Sequence, residues 1–363
     1  MSRVVLAMSG GVDSSVAASL LKRAGHEVIG LFMRTGAHGE GLERRAKTCC
    51  SATDAVDARA VADRLDIPFQ SLDFERDFGR VMDNFADEYA AGRTPNPCVL
   101  CNIWLKFGKL WSYGQQVGAD FVATGHYARI VADADGSPRV ARAIDPTKDQ
   151  SYVLFGLRRE LLAKVLLPVG GFAKAEIRAI ARDEGLPVHD KPDSQEICFV
   201  PDDDYLRFVR ERRDEAPRPG SIVDEDGTPL GEHGGVEGFT IGQRRGLGLS
   251  VGEPRYVVQI EAATSTVTVG RRTSLERPGL VAGRVNWQVD EPTGPFRCLA
   301  QIRARHRAVA ATVEPLPGGR IRVDFDEPQS AVTPGQVVTL YGDDLVIGGG
   351  WIEAATELEG PHS

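Results

Sequence analysis

Two sets of residues in this sequence have types and spacings that could do chemistry. One is the run VVLAMSGGVDSSVAASLL, Val4–Leu21, in which an apolar stretch breaks into Ser9-Gly10-Gly11-Val12-Asp13-Ser14-Ser15 before a helical pattern begins. Adjacent glycines let backbone N–H groups approach a ligand closely. The serines add hydroxyl donors, and the helix start that follows favours an anion. A phosphate group is the natural guest. The nucleotide-triphosphatase loop is excluded because it needs Gly-Lys-Ser/Thr, and the dinucleotide fingerprint because it needs three spaced glycines.

The second set is thiols. TPNPCVLCN (Thr94–Asn102) holds Cys98 and Cys101, and KPDSQEICFVPDDDY (Lys191–Tyr205) holds Cys198. Pro95 and Pro97 keep Thr94 and Asn96 extended and delay any helix until Pro97. The pattern VLCNIWLKFGKLW then predicts a helix with Cys98 and Cys101 on one face near its start, where a thiolate is stabilised. Three chemistries compete for these thiols. Zinc wants four ligands at paired spacing, which are missing. A [4Fe–4S] cluster on Cys98, Cys101 and Cys198 satisfies the arithmetic. Sulfur passed between two thiols needs one thiolate and one partner. Adjacent Cys49 and Cys50, and Cys298 in a strand pattern, read as small buried hydrophobes.

Positioning these residues requires a scaffold, and the first half of the chain supplies an alternating one. Strands are expected at Val4–Met8, Val28–Met33, Phe69–Phe74 and Phe121–Thr124. Helices are expected at Ser14–Ala24, at Asp54–Leu65 and along the stripe Phe78, Met82, Phe85, Tyr89. That alternation predicts an α/β, Rossmann-like parallel sheet, with the serine-glycine turn where such sheets bind ligands. After about residue 205 helices fade, PRPGS reads as a linker, and IVDEDGTPL signals a hairpin through Asp226-Gly227. From Pro278 onward LVAGRVNW, CLAQIRARHR, AATVEPL, RIRVDF and QVVTLY predict an antiparallel β-barrel. The expected domains are therefore 1–205, 206–277 and 278–363.

Composition sets the bounds. An apolar fraction of 42% supports a packed core, and a net charge of −8 argues against nonspecific polyanion binding by the whole surface. No signal-peptide pattern or membrane-length apolar run is evident, and six cysteines without a framework suit reduced thiols in a cytoplasm.

The serine-glycine turn resembles the pyrophosphatase loop of N-type ATP pyrophosphatases. Taken with TPNPCVLCN, SQEICF, TGHYAR (Thr124–Arg129), KDQSYVL (Lys148–Leu154), FTIGQRRGLG (Phe239–Gly248) and SAVTPGQ (Ser330–Gln336), the chain resembles the bacterial tRNA-specific 2-thiouridylase (MnmA/TrmU) family over nearly its whole length. The resemblance implies an ATP-pyrophosphatase domain, a small central domain and a C-terminal barrel. It implies replacement of O2 by sulfur in the wobble uridine of tRNAs for Lys, Glu and Gln, after adenylation by ATP with Mg2+. Cys198 matches the thiol that carries a persulfide, and Cys101 the thiol that attacks it to leave a Cys101–Cys198 disulfide. The resemblance also implies a cysteine desulfurase or a sulfur-relay protein as the donor that loads Cys198. Ala7, Met8, Ser9, Gly10, Gly11, Val12, Asp13, Ser14, Met33 and Gly125 match the ATP site. Asn96, Pro97, Cys98, His126, Lys148, Asp149, Gln150, Arg305, His306 and Gln336 match tRNA contacts around the anticodon loop. Many members carry Asp where this chain has Cys98, and Cys98 is assigned no catalytic role.

Several of these positions have plainer readings. His126 could be a polar strand end, and Lys148-Asp149-Gln150 a solvated loop. QIRARHR predicts a strand with Gln301, Arg303, Arg305 and Arg307 on one face, either a barrel exterior or a phosphate-contacting stripe.

Overall fold

The computed structural model describes residues 1–36, 52–193, 197–200, 202–249 and 252–357. Cys49 and Cys50 lie outside them. The chain forms two compact units that do not follow chain order. The first comprises Met1–Met82, Pro97–Asp203 and Asp344–Val346; the second comprises Asp83–Asn96, Asp204–Asp343 and Ile347–Ser363.

The elements run β1 (Arg3–Ala7), α1 (Val12–Arg23), β2 (Glu27–Arg34), α2 (Ala52–Arg64), β3 (Phe69–Asp73) and α3 (Glu75–Ala90). Next come α4 (Pro97–Leu100), a π-helical segment Cys101–Lys109, α5 (Leu110–Gln116), β4 (Phe121–Ala123), the hairpin β5 (Ala128–Ala132) and β6 (Pro138–Arg142), β7 (Val165–Leu166) and α6 (Lys174–Asp183). The five-stranded sheet has the order β3-β2-β1-β4-β7 and is parallel throughout. Such strands are buried on both faces, which explains Val4, Val5 and Leu6 at 0% exposure. The chain leaves β1 toward β2 and later returns to β4 on the other side of β1, so the order reverses there. Ligands bind at such a switch point, outside the carboxyl ends of the strands.

The helix expected after Pro97 does begin at Pro97, the position where a missing N–H costs nothing. Its winding differs from the expectation. Cys101–Lys109 is a π-helix, in which the i→i+5 hydrogen bond replaces i→i+4. Glycines make room for it: a Cβ on Gly108 would lie 2.7 Å from the Ile103 carbonyl oxygen, and one on Gly156 would lie 2.4 Å from Ile103 Cδ1. No periodicity of apolar residues announces such a change of pitch.

In the second unit, α7 (Tyr205–Arg212) starts on an Asp204 cap whose carboxylate accepts from Arg207 N. A four-stranded sheet follows in the order β10-β11-β8-β9, from β8 (Gly220–Val223), β9 (Pro229–His233), β10 (Tyr256–Glu261) and β11 (Thr266–Gly270). The β8–β9 hairpin turns at Gly227 with φ +83°, and Asp224 accepts from the N–H groups of Asp226 and Thr228. This is the turn expected at Asp226-Gly227.

The barrel comprises β12 (Glu276–Trp287), β13 (Phe296–Gln301), β14 (Val309–Leu316), β15 (Arg320–Ser330), β16 (Val337–Gly342) and β17 (Leu345–Thr356) in the order β12-β15-β14-β13-β16-β17. Pairing of β12 with β17 closes it, and closure removes the exposed sheet edges. Alternate residues such as Leu280, Ala282, Val313, Ile321 and Val323 fill its interior.

One expectation fails here. QIRARHR is not a strand beyond Gln301. Ala300 pairs with Val309, so residues 301–308 must form the connection between β13 and β14. Buried Gln301 turns the chain by donating to the carbonyls of Arg303 and Ala304 at 3.0 and 3.2 Å, and Arg303 donates to the Ser330 carbonyl. Arg303, Arg305 and Arg307 therefore form no period-two face.

Candidate active site

At the carboxyl end of β1 the chain turns through Met8–Gly11 into α1. Gly10 has φ +72°, and a Cβ there would lie 2.3 Å from the Asp54 carbonyl oxygen, so only glycine fits. The start of α1 carries no side-chain cap, which leaves its first N–H groups available to an anion. The serines hold the turn together: Ser9 N donates to Ser14 Oγ at 3.2 Å, and Ser15 Oγ donates to the Gly11 carbonyl at 2.8 Å. Across the switch point, Gly125 follows β4. A Cβ on it would lie 2.7 Å from Ser14 N. Met8 is buried behind the turn, and Met33 is half-buried near the end of β2. Thr35, just beyond, is 1% exposed and its Oγ1 has no hydrogen-bond partner. Two close-packed glycines and an orphaned hydroxyl beside an uncapped helix start fit a nucleotide phosphate and its attached nucleoside.

Charges surround the turn. Asp13 receives Lys174 at 2.7 and 2.9 Å and the Tyr127 hydroxyl at 2.7 Å. Asp193 takes Lys148 at 2.7 Å, Lys174 at 2.9 Å and Arg178 at 2.7 Å. Lys191 donates to the Gly10 carbonyl at 3.0 Å and to Asp54 and Asp57 at 2.6 Å each. Burial pushes the Asp193 carboxyl up, yet the ammonium bonds from Lys148 and Lys174 outweigh it and hold it at about 2. Burial, and then Asp13, raise the Tyr127 hydroxyl, so it stays a donor. The result is a network around the turn in which Lys148, Lys174, Arg178 and Lys191 are paired with Asp13, Asp54, Asp57 and Asp193.

Residue 126 extends the site toward the thiols. His126 is 8% exposed; burial and then the Lys106 charge hold its imidazole well below its ordinary range, so it is neutral. Lys106 Nζ lies 3.4 Å from Nε2 and Thr124 Oγ1 lies 2.6 Å from Nδ1. An ammonium only donates, so Nε2 accepts from Lys106 and the ring proton sits on Nδ1, facing Thr124.

Helix α3 organises the cysteines. Phe78 packs edge-on against Phe199, the neighbour of Cys198, with centroids 5.7 Å apart. Two residues on, the Arg80 guanidinium lies 5.0 Å from the Trp104 ring centroid, on the helix that carries Cys101. Asp77 pairs with Lys109 at 3.0 Å. One turn of α3 therefore tethers both thiol-bearing segments, which lie almost a hundred residues apart in sequence. Cys98 is exposed, and Cys101 and Cys198 are half-buried. Cys298 is a half-buried barrel residue whose thiol burial pushes up to about 12, which suits an inert role.

The remaining positions are placed as follows. Asn96 is half-buried, and Pro97 is buried. Asp149 accepts from Arg142, Ala143 N and Ser151, and Gln150 exchanges hydrogen bonds with Tyr127, so these two shape the loop behind His126. Gln336 donates to the Thr94 and Pro95 carbonyls at 3.1 and 2.9 Å, gripping the strap that precedes Asn96. Arg305 is exposed in the 301–308 turn; His306 is half-buried there, and burial and Arg303 lower its imidazole. Lys106, Tyr127, Lys174, Arg178, Lys191 and Asp193 were not singled out from sequence. Lys191 and Asp193 sit within the quoted KPDSQEICF stretch, but the partners of the Lys191 ammonium lie more than a hundred residues away, and those of Asp193 lie on Lys148, Lys174 and Arg178.

Among the described residues no three Cys, His, Asp or Glu side chains gather as a metal-ligand set.

Residues 2–202 match the family model described as tRNA methyl transferase HUP domain, residues 207–271 the tRNA methyl transferase PRC-barrel domain, and residues 277–352 the aminomethyltransferase beta-barrel domain. The chain is 50% identical over 365 residues to the tRNA-specific 2-thiouridylase MnmA of Geotalea uraniireducens (strain Rf4), covering 98% of this chain and 96% of that protein. It is 50% identical over 361 residues to the protein of the same name from Geobacter metallireducens, covering 97% of each. It is 47% identical over 396 residues to that of Rhodopirellula baltica, covering 98% of each.

Proposed function

Because the chain belongs to the tRNA-specific 2-thiouridylase MnmA family, we propose that it replaces O2 of the wobble uridine in tRNAs for Lys, Glu and Gln with sulfur, consuming ATP. The observation that carries this reading is the junction of turn, imidazole and thiol helix: Gly125 packs on Ser14, and His126 beside it receives Lys106, which lies on the helix of Cys101. Activation and sulfur delivery thus share one edge of the sheet.

The Ser9–Ser14 turn and the N–H groups of α1 bind the polyphosphate, with Lys174 and Lys191 offsetting its charge. The uridine O2 attacks the α-phosphorus and pyrophosphate departs, so a poor leaving group becomes AMP. A magnesium ion supplies charge neutralisation when bound; it takes most ligands from phosphates and water, and Asp13 is the carboxylate at the turn. Cys198 carries the persulfide. The Cys101 thiolate attacks the Cys198 sulfur, forming the Cys101–Cys198 disulfide and releasing hydrosulfide. Hydrosulfide adds to C2, AMP leaves with the C–O bond electrons, and a thiol reductant supplies two electrons to reset the cysteines. The base must leave its stack to reach this edge. The sulfur donor is a cysteine desulfurase or relay protein, and the reduced thiols suit the cytoplasm. Among the described residues no helix is long and apolar enough to cross a membrane. Methyl transfer, the wording of the family descriptions, would leave both thiols and the charged network around the turn without work.

The test is incubation with α-labelled ATP, magnesium and unthiolated wobble-uridine tRNA. AMP appearing only with that tRNA is the expected result; its absence from folded, ATP-binding protein overturns the reading. Cys198→Ser should abolish thiolation while tRNA binding persists, and retained thiolation would rule out the persulfide route.

A further inference from the structure

Two stretches singled out in the sequence, TPNPCVLCN and SAVTPGQ, meet at Thr94 and Pro95. The Thr94 N–H donates to the Pro334 carbonyl at 2.9 Å. The Gln336 side-chain amide donates to the carbonyls of Thr94 and Pro95 at 3.1 and 2.9 Å. Both partners are carbonyl oxygens, which only accept, so the NH2 group must face them and spends both of its hydrogens there. Pro95 has no N–H. Every backbone polar group of Thr94 and Pro95 is therefore bonded. Thr240, from FTIGQRRGLG, places its hydroxyl 3.5 Å from that of Thr94.

The grip has a firm base. Gly335 N donates to the Ile352 carbonyl at 2.9 Å, and Ile352 N donates to the Gln336 carbonyl at 2.8 Å, which ties this turn to β17 of the closed barrel. Gly335 has φ +89°, and a Cβ there would lie 2.8 Å from the Thr94 carbonyl oxygen, so the strap packs directly on glycine backbone. Just before the strap, Arg93 is fixed by two 2.7 Å bonds to Glu88. All of these residues belong to the second unit, and so does half-buried Asn96, the next residue along.

We propose that Gln336 is a positioning residue and not a direct tRNA contact: it holds Thr94 and Pro95 so that Asn96 is presented to the anticodon loop. This rests on the function given above and deepens it. Affinity for tRNA comes largely from many phosphate contacts, so a slack strap leaves binding intact. What it loses is the placement of one base, and an error of about 1 Å can cost about a hundredfold in rate.

The test uses the full chain and Gln336→Glu, which keeps the side chain's shape and loses both donors. Without tRNA or ATP, exchange of the Thr94 amide should quicken about tenfold, while amides of β13 and β14 keep their protection. With unthiolated tRNA, kcat for thiolation should fall about tenfold and KM for tRNA should stay within about twofold. Gln336→Lys, whose ammonium can donate to both carbonyls, should restore protection and kcat. Gln336→Met, uncharged and of similar length, serves the same comparison if the glutamate variant does not fold. Unchanged Thr94 exchange in a folded variant would overturn the proposal, and so would a raised KM with unchanged kcat, the mark of a direct contact. A wild type that thiolates no tRNA sinks the function instead, and the exchange comparison, which needs no tRNA, still decides the strap.

Discussion

Two polar turns, each following a buried strand, had different fates. The turn after β1 keeps the shape its residues suggest, whereas the segment after Gln301 abandons the strand that its alternating arginines suggest. The first is specified by backbone geometry: a positive φ at Gly10, close packing at Gly125 and serines bonding within five residues. The second is specified by a partner. Ala300 sits opposite Val309, and that register leaves residues 301–308 to cross from one strand to the next whatever their periodicity. A motif that encodes a conformation survives folding, while one that encodes only a pattern yields to pairing.

The largest effect that could break this contrast is at Gly10. Gly10→Ala should abolish tRNA-dependent AMP formation, because its Cβ meets the Asp54 carbonyl at 2.3 Å and the strained φ alone costs about 1–3 kcal/mol. An active variant, measured by labelled-AMP release, would mean the turn is malleable and not geometrically specified.

A pH series should separate the two turns next. His306 is held below its ordinary pKa, so the stability it contributes is complete above the unfolded value near 6.5 and is lost as pH falls through its lowered folded value. Asp193, at about 2, contributes stability that is complete above the unfolded value near 3.9 and is lost as pH falls toward 2. Amide protection, taken relative to the intrinsic exchange rate at each pH, should therefore fall first in 301–308 on acidification, and around Ser9–Ser14 only below about pH 4. Simultaneous loss would show that the two regions are not independent.

The smallest effect belongs to Arg305. If the exposed turn touches a phosphate, Arg305→Ala should weaken tRNA binding modestly and reduce the slope of log affinity against log salt by about one. An unchanged slope would confine this arginine to a solvated surface.

Much of the scaffold was legible because local rules and tertiary demands agree in it. β1–β3, α1 and the Asp226-Gly227 hairpin follow from apolar runs, amphipathic stripes and turn chemistry. The start of α4 at Pro97 follows from the fixed φ of proline. The β5–β6 hairpin and the π-segment were not legible. The π-segment depends on Gly108 meeting Ile103 within the helix and on Gly156 receiving Ile103 from half a hundred residues away.

The candidate site divides in the same way. By themselves, the residues of Ser9–Ser14 determine an anion-binding turn, and Cys101 and Cys198 determine that thiol chemistry is on offer. Only the tertiary structure decided that Lys174, Lys191 and Asp193 close around that turn, that α3 tethers Phe199 and Trp104 within three residues, and that Lys106 meets His126. The physical reason is range. A backbone turn is fixed by torsions and hydrogen bonds within a few residues. An ion pair or ring contact is fixed by which surfaces the packed core brings together, and single-residue types carry no record of those partners.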